Sequence, residues 1–279
     1  MTVPTRPPSP HPVPGLAPQR ARPTTQAGRV ANVVLPVLGV LAVVALWWLA
    51  TIVFDIKEFL LPDPGDVLAA FNEHPAYLLE QSWVTLLETV QGFGLSIVVG
   101  IPIALLIAGS TILERTIYPL LLALNSVPKI AIAPILVIWM GFGPAPKVFL
   151  AFLVCFFPVV ISTASGLKST PAELVELMRS LDSTRRQEFF KLRFQHALPQ
   201  IFVGLKVAIS LAVIGAVVAE FSPGADAGLG FVIVQSGASV DTALAFAAMV
   251  LLGIMSIALF YGLAYLERRV LPWAQEHPS

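Results

Sequence analysis

Six stretches of this 279-residue chain, at about residues 31–54, 84–109, 117–140, 147–166, 199–220 and 242–266, are each apolar for the length a helix needs to cross a bilayer. A hydrocarbon core of about 30 Å takes roughly 20 apolar residues in a helix. Lipid offers no partners for backbone N–H and C=O groups, so stretches of this kind close their hydrogen bonds internally as helices. Charged residues make up only 12% of the chain, where a soluble domain carries about 25%. Together these features predict an all-α integral membrane protein with six transmembrane helices. Pro36, Pro102, Pro119, Pro128, Pro134 and Pro158 fall inside the stretches. In an exposed helix interior each would cost about 3 kcal/mol. Packed against neighbours that re-satisfy the freed carbonyls they are tolerated, so the spans are expected to pack together.

The remainder divides around these spans. Residues 1–29 hold eight prolines and four arginines with almost no apolar periodicity, and are expected to be a disordered cytoplasmic tail. The six-span domain is assigned to 30–273, with a polar loop at 168–197, and 274–279 to a second cytoplasmic tail. A secretory signal peptide is not expected, because the first apolar run is itself long enough to span. Orientation follows the positive charges. With the N-terminus inside, Arg6, Arg20, Arg22, Arg29, Arg115, Arg268, Arg269 and the six basic residues of the 168–197 loop are cytoplasmic, leaving Lys57 and Lys147 outside. The outer segment 55–82 suggests a short amphipathic helix from Pro64, and 221–241, rich in Gly and Ser, reads first as a plain connecting loop, with a gate or a docking surface as the alternatives.

Several function classes drop out. A net charge of zero argues against nucleic-acid binding. The single cysteine, Cys155, lies in an apolar run, and His11, His74, His196 and His277 are scattered, so no metal site is expected. Gly166-Leu167-Lys168-Ser169-Thr170 has the ending of a phosphate-binding loop without its spacing, and no G-x-S-x-G occurs. The chain is therefore expected to be neither an enzyme nor an ATP binder, and to carry no cofactor.

The longest polar interval between spans is Lys168–Ala197, KSTPAELVELMRSLDSTRRQEFFKLRFQHA. Thr170, Pro171 and Glu173 form a helix start with a capping-box arrangement. Leu174, Leu177, Met178 and Leu181 then share one face at helical spacing. Asp182-Ser183 ends the helix, with Asp182 able to take a left-handed turn and Ser183 able to cap a second helix. In that second helix Phe189, Phe190, Leu192 and Phe194 lie among Arg185, Arg186, Lys191 and Arg193. Such a segment either docks a cytoplasmic partner or lies on the membrane with its bases among lipid headgroups.

With the spans that follow, this loop resembles the permease subunit of ATP-binding-cassette importers, in the branch that takes up nitrate, sulfonates, taurine, and thiamine- or riboflavin-related compounds. The family signature runs roughly E-A-A, three residues, Gly, nine residues, an aliphatic residue, any residue, Leu-Pro. Glu176-Leu177-Met178 stands at E-A-A, Asp182 at the glycine, Leu192 at the aliphatic position and Phe194-Gln195 at Leu-Pro. Further similarity lies in VPKIAIAPILVIWMGFG (127–143), ALPQIFVGLKVAISLAVIGAVVAEF (197–221), GLGFVI (228–233) and LERRVLPW (266–273). The resemblance implies a type I importer permease fold in a bacterial inner membrane, working as a homodimer. It also implies ATPase subunits that bind the ATP, an extracytoplasmic substrate-binding protein, and coupling helices in the 168–197 loop. Carried over by position, Glu176, Arg179, Asp182, Arg185, Arg186 and Phe189 are the coupling residues. The substitution of Asp182 for glycine and Gln195 for proline are departures. The alternative is a stand-alone secondary transporter or channel.

Ionisable residues inside spans face a bundle interior or water. Glu88, Lys129 and Glu220, with Asn125 one turn before Lys129, are the candidate translocation-path residues, because prolines interrupt the helix around Lys129. Lys129 alternatively pairs with a span glutamate, and Glu220 caps a gate or lies in a rim.

Overall fold

The structure, a computed structural model, describes residues 26–275, with side chains placed for residues 34–273. The expected N-terminal tail lies outside the described residues except for its last four, which are helical, and 276–279 lie outside as well. Among the described residues every regular element is a helix. The chain divides into two units, the first ending at Leu49 and the second beginning at Ala50. Helix α1 (Gln26–Val53) is apolar over Val34–Val53, a length of 20 residues that matches a bilayer core.

The second unit opens with α2 (Pro64–Glu73), the short helix expected from Pro64. Its start is a capping box: Asp63 Oδ1 accepts from Asp66 N (2.9 Å) and Asp66 Oδ2 from Asp63 N (3.1 Å). Next, α3 (Pro75–Gly109) begins nine residues before the expected border at 84, because Pro75 suits the first helical turn as well as an apolar residue does. The expected span 117–140 is broken. It consists of α4 (Thr111–Asn125), a 3-10 turn (Lys129–Ile132) and α5 (Ala133–Met140), bent by 79°. Pro128 lacks an N–H and restricts Val127, so the α-helix stops there, whereas Pro134 sits in the first turn of α5 where a missing donor costs nothing.

Next come α6 (Pro144–Lys168), α7 (Ala172–Ser180), α8 (Arg185–Glu188), a π-helical turn (Phe189–Arg193), α9 (Phe194–Glu220), α10 (Leu229–Ala238) and α11 (Thr242–Val270). Among the described residues five helices are long and apolar enough to cross a membrane, and the bent α4–α5 pair, taken as one broken span, brings the number to six.

The antiparallel pair α6 and α9 forms the centre, with α3 packed along both. Small residues permit this closeness. Gly92 of α3 and Gly215 of α9 both press on Ala151 of α6, where an added Cβ would lie 2.6 Å from Ala151 Cβ and 2.7 Å from its Cα respectively. Toward the C-terminal end of α6, Ala104, Ile107, Leu121, Phe157, Val160 and Ala164 join α3, α4 and α6. Toward its N-terminal end, Ala133, Leu136, Leu150 and Ala219 join α5, α6 and α9. The interior holds Thr85, Glu88, Thr89, Ser96, Thr163 and Glu220, while Ile112 and Ile138 are 78% and 80% exposed. Polar groups inside and large aliphatics outside is the distribution a lipid solvent selects.

Candidate functional site

Three places in the second unit hold the chemistry. The first is the loop between α6 and α9. Helix α7 starts at Ala172 with Pro171 as its N-cap residue, so Thr170 does not cap it and its buried hydroxyl finds no partner among the described residues. The end of α7 is a Schellman motif: Ser183 N donates to Met178 O (3.2 Å) and Asp182 N to Arg179 O (3.1 Å). Asp182 occupies the position where glycine is usual and takes φ 54°, the left-handed turn expected of it. Thr184, not Ser183, caps α8, in a reciprocal box with Gln187 (2.9 Å and 3.3 Å).

The inward face of α7 is Val175, with Met178 half-buried. Leu174, Leu177 and Leu181 point outward and are 39%, 56% and 70% exposed. Glu176 is exposed beside them. Glu188, nearly buried, ties the loop together: Arg193 donates to it through Nη2 (2.7 Å) and Nε (2.9 Å), and Arg179 through Nε (3.3 Å). Phe189 is half-buried against the α6–α9 core, whereas Phe190 is exposed with the Arg186 guanidinium over its ring at 5.9 Å. Arg185 is exposed in the first turn of α8. Of the six expected coupling residues, Arg179 and Phe189 thus brace the loop, and Glu176, Asp182, Arg185 and Arg186 reach its surface. Glu188 and Arg193 were missed. Their signal was faint, one acid amid the four bases Arg185, Arg186, Lys191 and Arg193.

The second place is the break in the α4–α5 span. Lys129 Nζ donates to Asn125 O (3.0 Å) and Asn125 Oδ1 (2.9 Å) and lies 4.6 Å from the Phe157 ring centroid. Asn125 and Lys129 are therefore brought together, and the glutamate partner considered for Lys129 goes to another lysine.

That lysine, Lys147, defines the third place. It lies in the first turn of α6, 5% exposed, with Nζ 3.1 Å from Glu88 Oε1 and 2.9 Å from Ala227 O, and Asp226 at 3.7 Å. It was expected in an outer loop, and its burial is a correction: α6 begins at Pro144, three residues before the expected border. Close by, Glu220 at the end of α9 accepts from Thr85 Oγ1 (2.7 Å) and Gly230 N (2.6 Å). Leu229 N donates to Thr85 Oγ1 (2.8 Å) and Gly228 N to Gln81 Oε1 (2.7 Å). Of the two buried carboxylates, Glu88 pairs with the Lys147 ammonium through Oε1, its Oε2 having no partner among the described residues, and Glu220 takes its bonds from the Thr85 hydroxyl and the Gly230 amide. Glu88 and Glu220 share this cluster but not the place of Lys129, since Phe157 is ten residues, about 15 Å of helical rise, along α6 from Lys147. The segment 221–241, whose first reading is a plain connection, contains α10, tied at its start to α3 and α9.

The sequence pattern of the inner membrane component of binding-protein-dependent transport systems matches residues 96–272. The chain belongs to this family. It is a multi-pass transport permease subunit. It is 35% identical over 242 residues to the formylaminopyrimidine transport permease protein of Halalkalibacterium halodurans, covering 86% of this chain and 96% of that one. It is 31% identical to the riboflavin transport system permease protein of Chloroflexus aurantiacus over 85% of this chain and 91% of that one. For the taurine transport system permease protein of Escherichia coli the figures are 28%, 86% and 90%. Its fold is similar to that of a chain of the MetNI methionine ABC transporter, solved in inward-facing conformations, at a TM-score of 0.58 and 22% identity over 70% of this chain and 95% of that one. The expected type I importer permease architecture is the one observed.

Proposed function

We propose that this permease imports a small nutrient, with alternating access driven by ATPase subunits that dock on the α7–α8 loop and themselves bind the ATP. The observation that carries this is the outward stripe Leu174, Leu177 and Leu181 on a nine-residue helix in the one long polar loop. Exposed apolar side chains in a rigidly braced, basic segment match a groove on a soluble partner better than they match water. Glu176, Asp182, Arg185, Arg186 and Phe190 border the stripe and would set its fit, while Arg179 and Phe189 hold the loop in shape.

The reading adds two further partners: a second copy of this chain, so that two loops meet two ATPases, and an extracytoplasmic binding protein at the opposite face, a partner the family description supports. The orientation places both termini and the α7–α8 loop in the cytoplasm of a bacterial inner membrane. Burial of Lys147 supports it, because that leaves Lys57 as the one basic residue assigned to the outer segments. Asn125 and Lys129, at a break in a span, are assigned to the translocation path. The substrate is assigned to the class of thiamine-precursor or flavin-like compounds. The 35% relative is named for a formylaminopyrimidine and a 31% relative for riboflavin, whereas permeases named for sulfonates and taurine stand at 28%.

Affinity purification of the full chain from its own membranes tests the docking surface. The wild-type chain should carry a stoichiometric ATPase, and Leu177→Glu with Leu181→Glu should lose it at equal permease yield. Retention of the ATPase by that double variant would refute the assigned surface.

A further inference from the structure

Helix α10 is built differently from the spans around it. It is ten residues long, far short of a bilayer, and it is joined at both ends through unusual backbone. At its start Gly228 takes φ 111°, and a Cβ there would lie 2.0 Å from Glu220 Oε1, so only glycine admits this approach. At its end Val240 takes φ 63° within a second Schellman motif, in which Asp241 N donates to Ser236 O (2.9 Å) and Val240 N to Gly237 O. Glycine is the usual residue at that position, and a β-branched side chain there is strained. Strain of this kind persists only where the surroundings over-determine it, and it collects at elements that switch.

Helix α11 packs along α10, and apart from a long Tyr77–Gln235 contact (3.4 Å) the polar bonds that hold α10 to α3 and α9 are concentrated at its start. Gln81 and Thr85 from α3 and Glu220 from α9 occupy the amides of Gly228, Leu229 and Gly230, and Thr85 also donates to Glu220. Along the helix the buried face is small, Leu229, Gly230, Val232 and Ser236. The preceding loop leans on the broken span, since Phe142, in the turn after α5, lies against Gly224. Movement of α10 would therefore reach α5 and the Lys129 break through Phe142. All of this sits at the end of the α6–α9 pair opposite the α7–α8 loop.

We propose that α10 is a gate helix with two positions, the latched one seen here, held by Glu220, Thr85 and Gln81, and a released one reached by rotation about Gly228 and Val240. Glu220 and Thr85 are then positioning residues of the transport cycle: they set how readily this end of the molecule opens. A hydrogen-bonded latch and a strained hinge at opposite ends of one short helix balance each other, which is what a two-position element requires. The role in a transport cycle rests on the importer function proposed above. The test below needs no ATPase, so a rigid α10 and a missing ATPase interaction give separate results.

The full chain is purified into lipid nanodiscs with Val232→Cys on the buried face of α10, and its reaction with N-ethylmaleimide is followed by mass spectrometry. Native Cys155, fully buried in the α6–α9 core, reports global opening in the same molecule. The Cys introduced at 232 should react faster than Cys155. Glu220→Gln, which removes a charge-assisted hydrogen bond, should speed that reaction about tenfold and leave Cys155 unchanged. Thr85→Val should act in the same direction, and serves alone if Glu220→Gln does not fold. Val240→Gly, which relieves the strained hinge, should slow the reaction several-fold. The proposal is overturned if the latch variants leave the rate at 232 unchanged or raise both thiols in parallel. It is equally overturned if Val240→Gly does not slow the reaction.

Discussion

Lys147 stands in the sequence beside Pro144 and Pro146 and looks like a loop cation, but in the fold it is the buried counter-charge of Glu88. What the sequence hides is where a helix begins: a proline in the first turn extends α6 by three residues and turns an apparent rim into an interior. Lys147→Met should leave the Glu88 charge buried and unpaired, at a cost of about 3–5 kcal/mol. Thermal unfolding of the purified protein should show a large drop in midpoint, much of it recovered when Glu88→Leu is added. An unchanged midpoint would mean that the pair contributes little. Asp182 is the opposite case. Its place at a helix break announces a left-handed turn, and φ 54° is what the chain adopts. Asp182→Gly should stabilise the end of α7 by about 0.5–1 kcal/mol, read as slower amide exchange at Asp182 and Ser183. The caps were less legible, because Thr170 and Thr184 stand near Pro171 and Ser183 and pattern alone does not rank such neighbours.

Among the elements, the spans were legible because length and apolarity are what lipid selects, and the break at Pro128 because proline cannot continue a helix. The outward stripe of α7 was visible as a stripe, but its direction was not. Val175, outside the expected face, is the residue that turns inward, so Leu174, Leu177 and Leu181 are left exposed. Helix α10 escaped notice since Gly224, Gly228, Gly230 and Gly237 dilute its apolar run, and its anchors lie far off in sequence at Gln81 and Thr85. The broken span carries its own expectation. Lys129 is satisfied by Asn125 and by the Phe157 ring, so it holds no glutamate in place. Lys129→Met should therefore spare folding and assembly while lowering uptake of a labelled thiamine-type pyrimidine at matched expression by at least tenfold. An unchanged rate and apparent affinity would remove Lys129 from the path.

At the largest scale, one end of the α6–α9 pair is braced by Glu188 with Arg179 and Arg193, and the other carries the cluster of Lys147, Glu88 and Glu220. The α6–α9 pair runs between them. It is close-packed through small residues such as Gly92, Ala151 and Gly215, and is suited to transmit movement rather than absorb it. With the docking surface and the gate helix proposed above, such a permease is expected to be half of a device. Native mass spectrometry of the complex released gently from its own membranes tests that account most directly. Two copies of this chain with two ATPase chains are expected. A single copy of this chain, released without any ATPase under conditions that preserve other importers, would contradict it.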